Sequence, residues 1–581
     1  MSSIEEIRHS FAHLLASAVL EHFPHAKLTL GPAIENGFYY DIFTEKESPK
    51  ITDLDLKKLE NTMRKHLKEW GVFTHREINE AEARELFEDN PFKLELIDDI
   101  VSRGEKITLY KNGSFEDLCR GGHGEASEMH QDAFSITHVA GAYWRGDEKN
   151  PMLTRIYGLA FNSKDELAQY LTQQEEAKKR DHRKLGKELG LFVFSELVGA
   201  GLPLWTPRGT MIRELLNDYV WELRKARGYQ KVTIPHITKR ALYETSGHWA
   251  KYAEDLFKIK TREDHEYAMK PMNCPHHAQI FASEPKSYRD MPQRFAETTM
   301  VYRDEQSGEL SGLSRVLSIT QDDAHVFCRE NQIEEEANKI WDIINTFYGT
   351  FGFTLTPRFS RHDPAKPENY LGSQDTWSKA EGALKSLMEK RGVTWIDGVG
   401  EAAFYGPKID FMAKDSIGRT WQVATIQVDF NQPKNFGLVC TNEKGEKEQI
   451  VMIHAAIMGS IERFMSVIIE HLAGNFPLWL APTQVAIVPV GESHLPYAKK
   501  VFDALQETSI RATLDATDNS LGKRIRAHKE MKVPYVIVIG DNEVSADRLT
   551  IEARDKGKLE GVSITELTEM LRTANTGRTL A

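Results

Sequence analysis

The chain has 581 residues, 40% of them hydrophobic and 28% charged, with a formal net charge of −12. That length exceeds one ordinary domain, so three or four are expected, and no apolar run approaches the roughly 18 residues of a membrane span. The four cysteines (Cys119, Cys274, Cys328, Cys440) are too scattered for a disulfide framework, and the start MSSIEEIRHS has no signal-peptide pattern, so the expected location is cytoplasmic. A nucleic acid would have to be held by local basic patches rather than by the overall field. KKRDHRKLGK (residues 178–187) and GKRIRAHKEMK (522–532) are the candidates, although such runs are more often solvated helix faces.

The first predicted helix is IEEIRHSFAHLLASAV. Ile4, Ile7, Phe11, Leu14, Leu15 and Ala18 form one apolar stripe, which places His9 and His13 on the opposite face, away from a core. Farther on, NPFKLELI supplies Lys93 and DLCRGGH supplies Asp117, Cys119 and His123. From spacing alone, an HxxxH pair with a CxxxH pair reads as a zinc site. SKDELAQYLTQQEEAKKRDHRKLGKELG then reads as an exposed helical connector.

From about residue 191 to 480 the pattern is that of a large α+β block. GYQKVTIPHI reads as the end of a helix running into a strand that contains Pro235. YRDEQSGELSGLSRV puts Arg303 and Glu305 at the end of one strand and Arg315 on the returning strand, an arrangement of guanidinium groups suited to a triphosphate. HAAIMGSIERF reads as a helix opening with the small residues Ala455, Ala456, Gly459 and Ser460, with Arg463 one turn on. After FPLWLAP, strands and helices alternate, which predicts a small α/β domain with a mostly parallel sheet.

In order and separation, these three central segments resemble the signature motifs of class II aminoacyl-tRNA synthetases. MNCPHHAQIF with Cys274, TQDDAHVF with His325, VMIHAAIMGS with His454, and the runs FYGPKIDF and WQVATIQVDF are similar to the threonyl-tRNA synthetase family over nearly the whole chain. The resemblance implies a multidomain α+β and α/β fold: an α+β editing domain at 1–160, a helical linker at 161–190, an antiparallel-sheet class II catalytic domain at 191–480 and an α/β anticodon-binding domain at 481–581. Many members begin with a small ubiquitin-like domain, whereas this sequence starts directly at the editing block.

The family also implies site roles. Cys274, His325 and His454 would hold one Zn²⁺ per chain, and three protein ligands leave zinc a fourth position for substrate. Arg303, Glu305, Arg463 and Lys408 would be catalytic; Arg315, Gln422, Thr425 and Ser460 would join them around ATP and its Mg²⁺. Gln321, Asp323, Tyr405 and Gln427 would line the L-threonine pocket, and Asp323 shares a strand face with His325. An aromatic that stacks on adenine in the family is Ile319 here. His9, His13, Lys93, Asp117, Cys119 and His123 would form a metal-free pocket that hydrolyses mischarged Ser-tRNA(Thr). A second site is needed because a missing methylene yields only about 10- to 200-fold discrimination. Asp518, Asn519, Glu543 and Arg554 fall near the expected contacts with the tRNA(Thr) anticodon, although Asp518 and Glu552 stand where other members have asparagine and arginine. The first motif implies a homodimer. Rival readings are a non-catalytic RNA-binding relative, or a class II ligase for proline, serine or alanine.

Overall fold

The computed structural model describes residues 2–580, and the chain falls into two compact units, Met1–Glu175 and Glu176–Ala581. In the first unit the helix Ile4–His22 starts at a capping box, in which Ser3 and Glu6 each accept the other's backbone N–H. The helix packs on an antiparallel sheet ordered Lys27–Leu28, Gly37–Phe43, Met152–Ala160, Phe134–Tyr143, with Ala33–Ile34 attached to Gly37–Phe43.

The helix is not the two-faced amphipathic element that its spacing predicts. Arg8, Ser10, Ala12 and His13 are buried along with the apolar stripe. Phe11 lies against the rings of Phe38 and Phe134 on one side, while His13 meets Phe73 and Phe115 on the other. A second layer of chain therefore covers the face that solvent was expected to occupy. The predicted connector is likewise two helices. Lys164–Arg180 ends at Asp181, whose carboxylate accepts the Arg183 N–H and caps a new helix, His182–Glu188. His182, Leu185 and Gly186 in that second helix are buried rather than exposed.

The second unit is built on an eight-stranded sheet ordered Gln230–Lys231, Gln293–Tyr302, Ser318–Cys328, Val451–Ala456, Thr420–Asp429, Lys408–Lys414, Thr354–Arg361, Ile396–Val399. Its inner pairings are antiparallel and the pairing at each edge is parallel. Side chains alternate across each strand. Ala324, Val326, Ala424, Ile426, Val428, Ile453 and Ala455 point into the main core. Residues from the helices Pro207–Lys225, Ile333–Gly349, Gln374–Lys390 and Ile461–His471 fill that core from the same side. Phe464, Met465 and Ile468 are at most 1% exposed, and burying each contributes about 1.5–3 kcal/mol. The alternate residues, including Asp323, His325, Gln427 and His454, fall on the other face.

Three local boundaries differ from the sequence pattern. The run YQKVTIPHI supplies only the Gln230–Lys231 strand, and Pro235, which has no N–H to give a ladder, sits in the connection to Ile237–Lys239. Arg315 lies in a loop, because the returning strand begins at Ser318. Ala455 and Ala456 end the Val451–Ala456 strand instead of opening a helix, which starts at Ile461 under a Ser460 cap. Gly459 makes that turn possible, with φ of 71° and the Val423 carbonyl 3.2 Å from where a Cβ would stand. Buried Asp322 holds the turn by accepting the N–H groups of Ile457 and Met458, each at 2.9 Å, and by pairing with Arg224. Removing one partner of such a buried pair costs about 3–5 kcal/mol.

The last sheet runs Ala512–Leu514, Val485–Pro489, Tyr535–Ile539, Leu549–Ala553, Gly557–Val562. Its first two pairings are parallel and its last two antiparallel, so it is mixed rather than mostly parallel. The tight turn between Ala553 and Gly557, with Gly557 at φ of 74°, adds a hairpin strand whose polar sequence GKLEGV gives little strand signal.

Candidate active sites

On the open face of the large sheet, three neighbouring elements converge. His325 and His454 are direct cross-strand partners, and Cys274 begins the helix Cys274–Ala282. One ligand atom from each lies within 4.8 Å of the others, and all three residues are buried. Each imidazole has one nitrogen engaged by a neighbour. His325 Nδ1 lies 2.8 Å from His277 Nδ1, and His454 Nε2 lies 3.0 Å from Asp429 Oδ2. The other nitrogen of each ring remains for an ion, the usual second-shell arrangement around a metal. Burial pushes the Cys274 thiol well above its ordinary pKa, and a bound cation is what would convert such a thiol to thiolate. A thiol and two imidazoles in this arrangement fit a tetrahedral ion with one position open.

The predicted pocket residues surround this cluster. Asp323 Oδ1 is 3.7 Å from His325 Nε2, and its other oxygen accepts from Asn273 at 3.0 Å. Tyr405 stacks on the His454 ring at 4.9 Å and donates its hydroxyl to Gln427 at 2.6 Å. Gln427 in turn donates to Thr425 at 3.3 Å. Gln321 lies beside Ser460 through an isolated bridge, and Ile319 shares its strand face.

The predicted nucleotide residues divide by pairing. Glu305 is already ion-paired with Arg315 at 2.6 Å, and Lys408 and Gln422 both bind Asp410, at 3.0 and 2.9 Å. Arg303 and Arg463, by contrast, have no carboxylate partner among the described residues. Arg303 contacts the Met272 sulfur and the Tyr252 ring, and its buried Nε has no hydrogen-bond partner. Arg463 is exposed at the start of the Ile461–His471 helix, yet enough protein surrounds it to pull its pKa down by desolvation. Two guanidinium groups without a carboxylate partner suit an anion such as a phosphate.

Sequence reading missed several residues here. His248, fully buried, closes another side of the cluster with Nε2 3.8 Å from Cys274 Sγ. Gln432 donates to the same sulfur at 3.4 Å. Arg358 bridges Asp410 and Gln422. None carries a local spacing signal, since each reaches the site from a different element.

In the amino-terminal unit His9, His13, Cys119 and His123 also converge, with ligand atoms within 4.8 Å. Cys119 Sγ lies 3.3 Å from His123 Nε2 and 3.6 Å from His9 Nε2. Beside them Lys93 and Asp117, each 2% exposed, form an ion pair at 2.7 Å, and Tyr40 donates to Asp117 at 2.6 Å. His9, His13, Tyr40, Lys93, Asp117 and Cys119 line a cleft of about 420 Å³. Burial lifts the Cys119 thiol to about 11 and, with the charge of His9, lowers His123 to about 3. His9 and His13 are lowered too, mainly by desolvation. The cluster is therefore neutral at pH 7. The unfolded chain takes up protons at these imidazoles below about pH 6.5 and the folded unit does not, so stability is complete above that value and is lost as pH falls towards the folded pKa values. Between pH 7 and 5 the wild type should lose more of its thermal stability than His123→Gln; equal losses would contradict the lowered pKa.

In the carboxy-terminal sheet, Asp518 and Asn519 are exposed before the helix Leu521–Glu530. Glu543 and Arg554 instead line a cleft of about 770 Å³, to which Asp518 and Asn519 do not contribute. Glu543 caps its own short helix by accepting the Gly540 N–H. Arg554 is turned onto Asp555 and the carbonyls of Lys532 and Phe476.

The sheet, its helices and the unmatched arginines define a class II synthetase, and comparison agrees. Residues 257–472 match the profile of the tRNA synthetase class II core domain (G, H, P, S and T), and 484–574 match the anticodon binding domain. Curated threonine–tRNA ligases of Rubrobacter xylanophilus and Porphyromonas gingivalis are 46% and 47% identical, over 95% and 97% of this chain and 86% of each relative. Among solved structures, the RNA binding domain of threonyl-tRNA synthetase from Cryptosporidium parvum aligns with TM-score 0.65 and 35% identity, covering 69% of this chain and 99% of that one. A putative threonyl-tRNA synthetase from Aeropyrum pernix aligns with TM-score 0.60 and 28% identity, covering 69% and 98%. The chain belongs to the threonine–tRNA ligase family. No helix among the described residues is long and apolar enough to cross a membrane.

Proposed function

We propose that this member of the threonine–tRNA ligase family activates threonine with ATP beside a zinc ion held by Cys274, His325 and His454, transfers it to tRNA(Thr), and hydrolyses Ser-tRNA(Thr) in the cleft at His9 and Cys119. The observation that carries this reading is the pair of separate clusters, one beside unmatched arginines and one beside none. Zinc at the first cluster would supply a Lewis-acidic position for the amino group and hydroxyl of threonine, which valine cannot satisfy. The chain's own residues do the rest. Asp323, 3.7 Å from His325, would accept the threonine hydroxyl, with the bonded pair Tyr405 and Gln427 as the pocket wall. Arg303 and Arg463 neutralise the ATP phosphates and the charge that develops as pyrophosphate leaves, with Mg²⁺ and Glu305 in support. Activation then rests on positioning and charge stabilisation rather than on a protein nucleophile.

In the amino-terminal cleft the neutral imidazoles would orient a water against the ester, and the buried Lys93–Asp117 pair beside them fixes the cleft wall. The alternative, a second zinc ion among His9, His13, Cys119 and His123, is tested by metal analysis: one zinc per chain supports the hydrolytic reading, two the alternative. The exposed apolar residues Val193, Phe194, Leu197 and Val198, close in sequence to the first-motif helix, support a homodimer. Glu543 and Arg554, beside the larger carboxy-terminal cleft, and Asp518 and Asn519 are the proposed anticodon contacts.

The division of labour is tested by the double variant His9→Ala, His13→Ala. Deacylation of preformed Ser-tRNA should fall by about 10²-fold or more, the range of losing the group that orients a reactant, while threonine-dependent pyrophosphate exchange is unchanged. Equal deacylation by both proteins would remove the editing assignment. Collapse of exchange in the variant would show that these histidines hold the structure together.

A further inference from the structure

We propose that His182, which belongs to the connector and touches no substrate, is a positioning residue for the ATP loop at residues 303–317. The proposal rests on the reading of that loop as the nucleotide site. His182 is the first residue of the helix His182–Glu188 and is 4% exposed. Its Nδ1 lies 2.7 Å from Glu470 Oε1, and the same oxygen accepts its backbone N–H at 3.1 Å. Its Nε2 lies 3.0 Å from the backbone nitrogen of Leu313. A backbone N–H can only donate, so Nε2 is the lone-pair nitrogen and the ring proton sits on Nδ1, donated to Glu470. The other Glu470 oxygen meets Arg419 at 2.7 Å, and Arg419 is anchored on Asp415 at 2.7 Å. A continuous relay thus runs from Arg419 through Glu470 and His182 to the apex of the loop.

The loop is shaped to receive this ring. Gly312 has φ of 50°, and a Cβ there would stand 2.3 Å from His182 Nε2, so a larger residue would lift the loop off the imidazole. Leu313 is fully buried in the main core, and Ser314 bonds Ser466 at 3.0 Å. On either side of this pinned apex stand Arg303 and Glu305 on one arm and Arg315 on the other, and Arg303 N–H reaches Leu317 at 3.0 Å. Without an acceptor at Nε2, the buried Leu313 N–H has no partner, and the unpinned loop presents its cations to the triphosphate in more than one position.

Two variants of the full chain separate positioning from packing. His182→Asn keeps a donor towards Glu470 but removes the acceptor for Leu313, whereas His182→Gln can return an acceptor near Nε2. In threonine-dependent pyrophosphate exchange, His182→Asn should raise the KM for ATP by about tenfold and leave the KM for threonine in place. His182→Gln should recover most of that loss at a similar melting temperature. An unchanged KM for ATP in His182→Asn, an equal rise for both substrates, or no recovery by His182→Gln would each overturn the proposal. Arg303→Ala serves as the control. If it raises the KM for ATP while His182→Asn does not, only the role of His182 fails; if Arg303→Ala also leaves it unchanged, the loop is not the nucleotide site.

Discussion

Cys274→Ser should abolish threonine activation while the chain remains folded. A hydroxyl is a far poorer ligand than a thiolate for a soft divalent ion, and no other cysteine belongs to the cluster. Loss of a second-shell partner alone commonly costs about 10–100-fold, so loss of a ligand should exceed that. The volume change is small and the site is rigidly framed: Gln432, which donates to the sulfur, and Asp429, which accepts from His454, both belong to one turn. The measurements are pyrophosphate exchange with threonine and zinc content per chain, expected to be about one in the wild type and near zero in the variant. Retained exchange with zinc lost would separate the ion from catalysis. Retained zinc with exchange lost would point to the thiolate's part in placing the substrate rather than in holding the ion.

Arg463→Ala should reduce activation by about 10²–10³-fold, the usual loss when one preorganised stabiliser of developing charge is removed. The same change should alter stability by no more than about 0.5 kcal/mol, because an exposed side chain without a carboxylate partner leaves nothing unpaired behind. This asymmetry distinguishes Arg463 from Arg224, whose removal would strand buried Asp322. Normal exchange kinetics with an unchanged KM for ATP in Arg463→Ala would take this arginine out of the active site.

Much of the candidate site was legible because its residues sit in contiguous runs. Asp323 and His325 are two apart on one strand, so period two alone puts them on one face. The pairing of His325 with His454 was not legible, since it depends on which strand lies next to which. His248, Arg358 and Asp429 were invisible for the same reason. Spacing misled at His13, where apolar periodicity identified the helix and its inner stripe. It could not reveal that the segment after Asn112 folds back over the other side, where Ser10 bonds Gly124. The strand Gly557–Val562 escaped because an edge strand with a solvated face needs few apolar residues.

The sequence by itself determined the composition of the two clusters, the helices with strong caps, and the arginines available to an anion. These are local properties, set by residue type, by short-range hydrogen bonds such as the Ser3–Glu6 box, and by side-chain period. Only the tertiary structure decided which cations remain unmatched. Arg315 and Lys408 look as free in the sequence as Arg303 and Arg463, yet folding pairs the first two with Glu305 and Asp410 and gives the others no carboxylate partner among the described residues. It also decided that the connector's second helix is buried against the Ile461–His471 helix, with His182 under the loop apex. The burial of His182 follows from packing, where the free energy of burying a polar group depends on a partner 288 residues away.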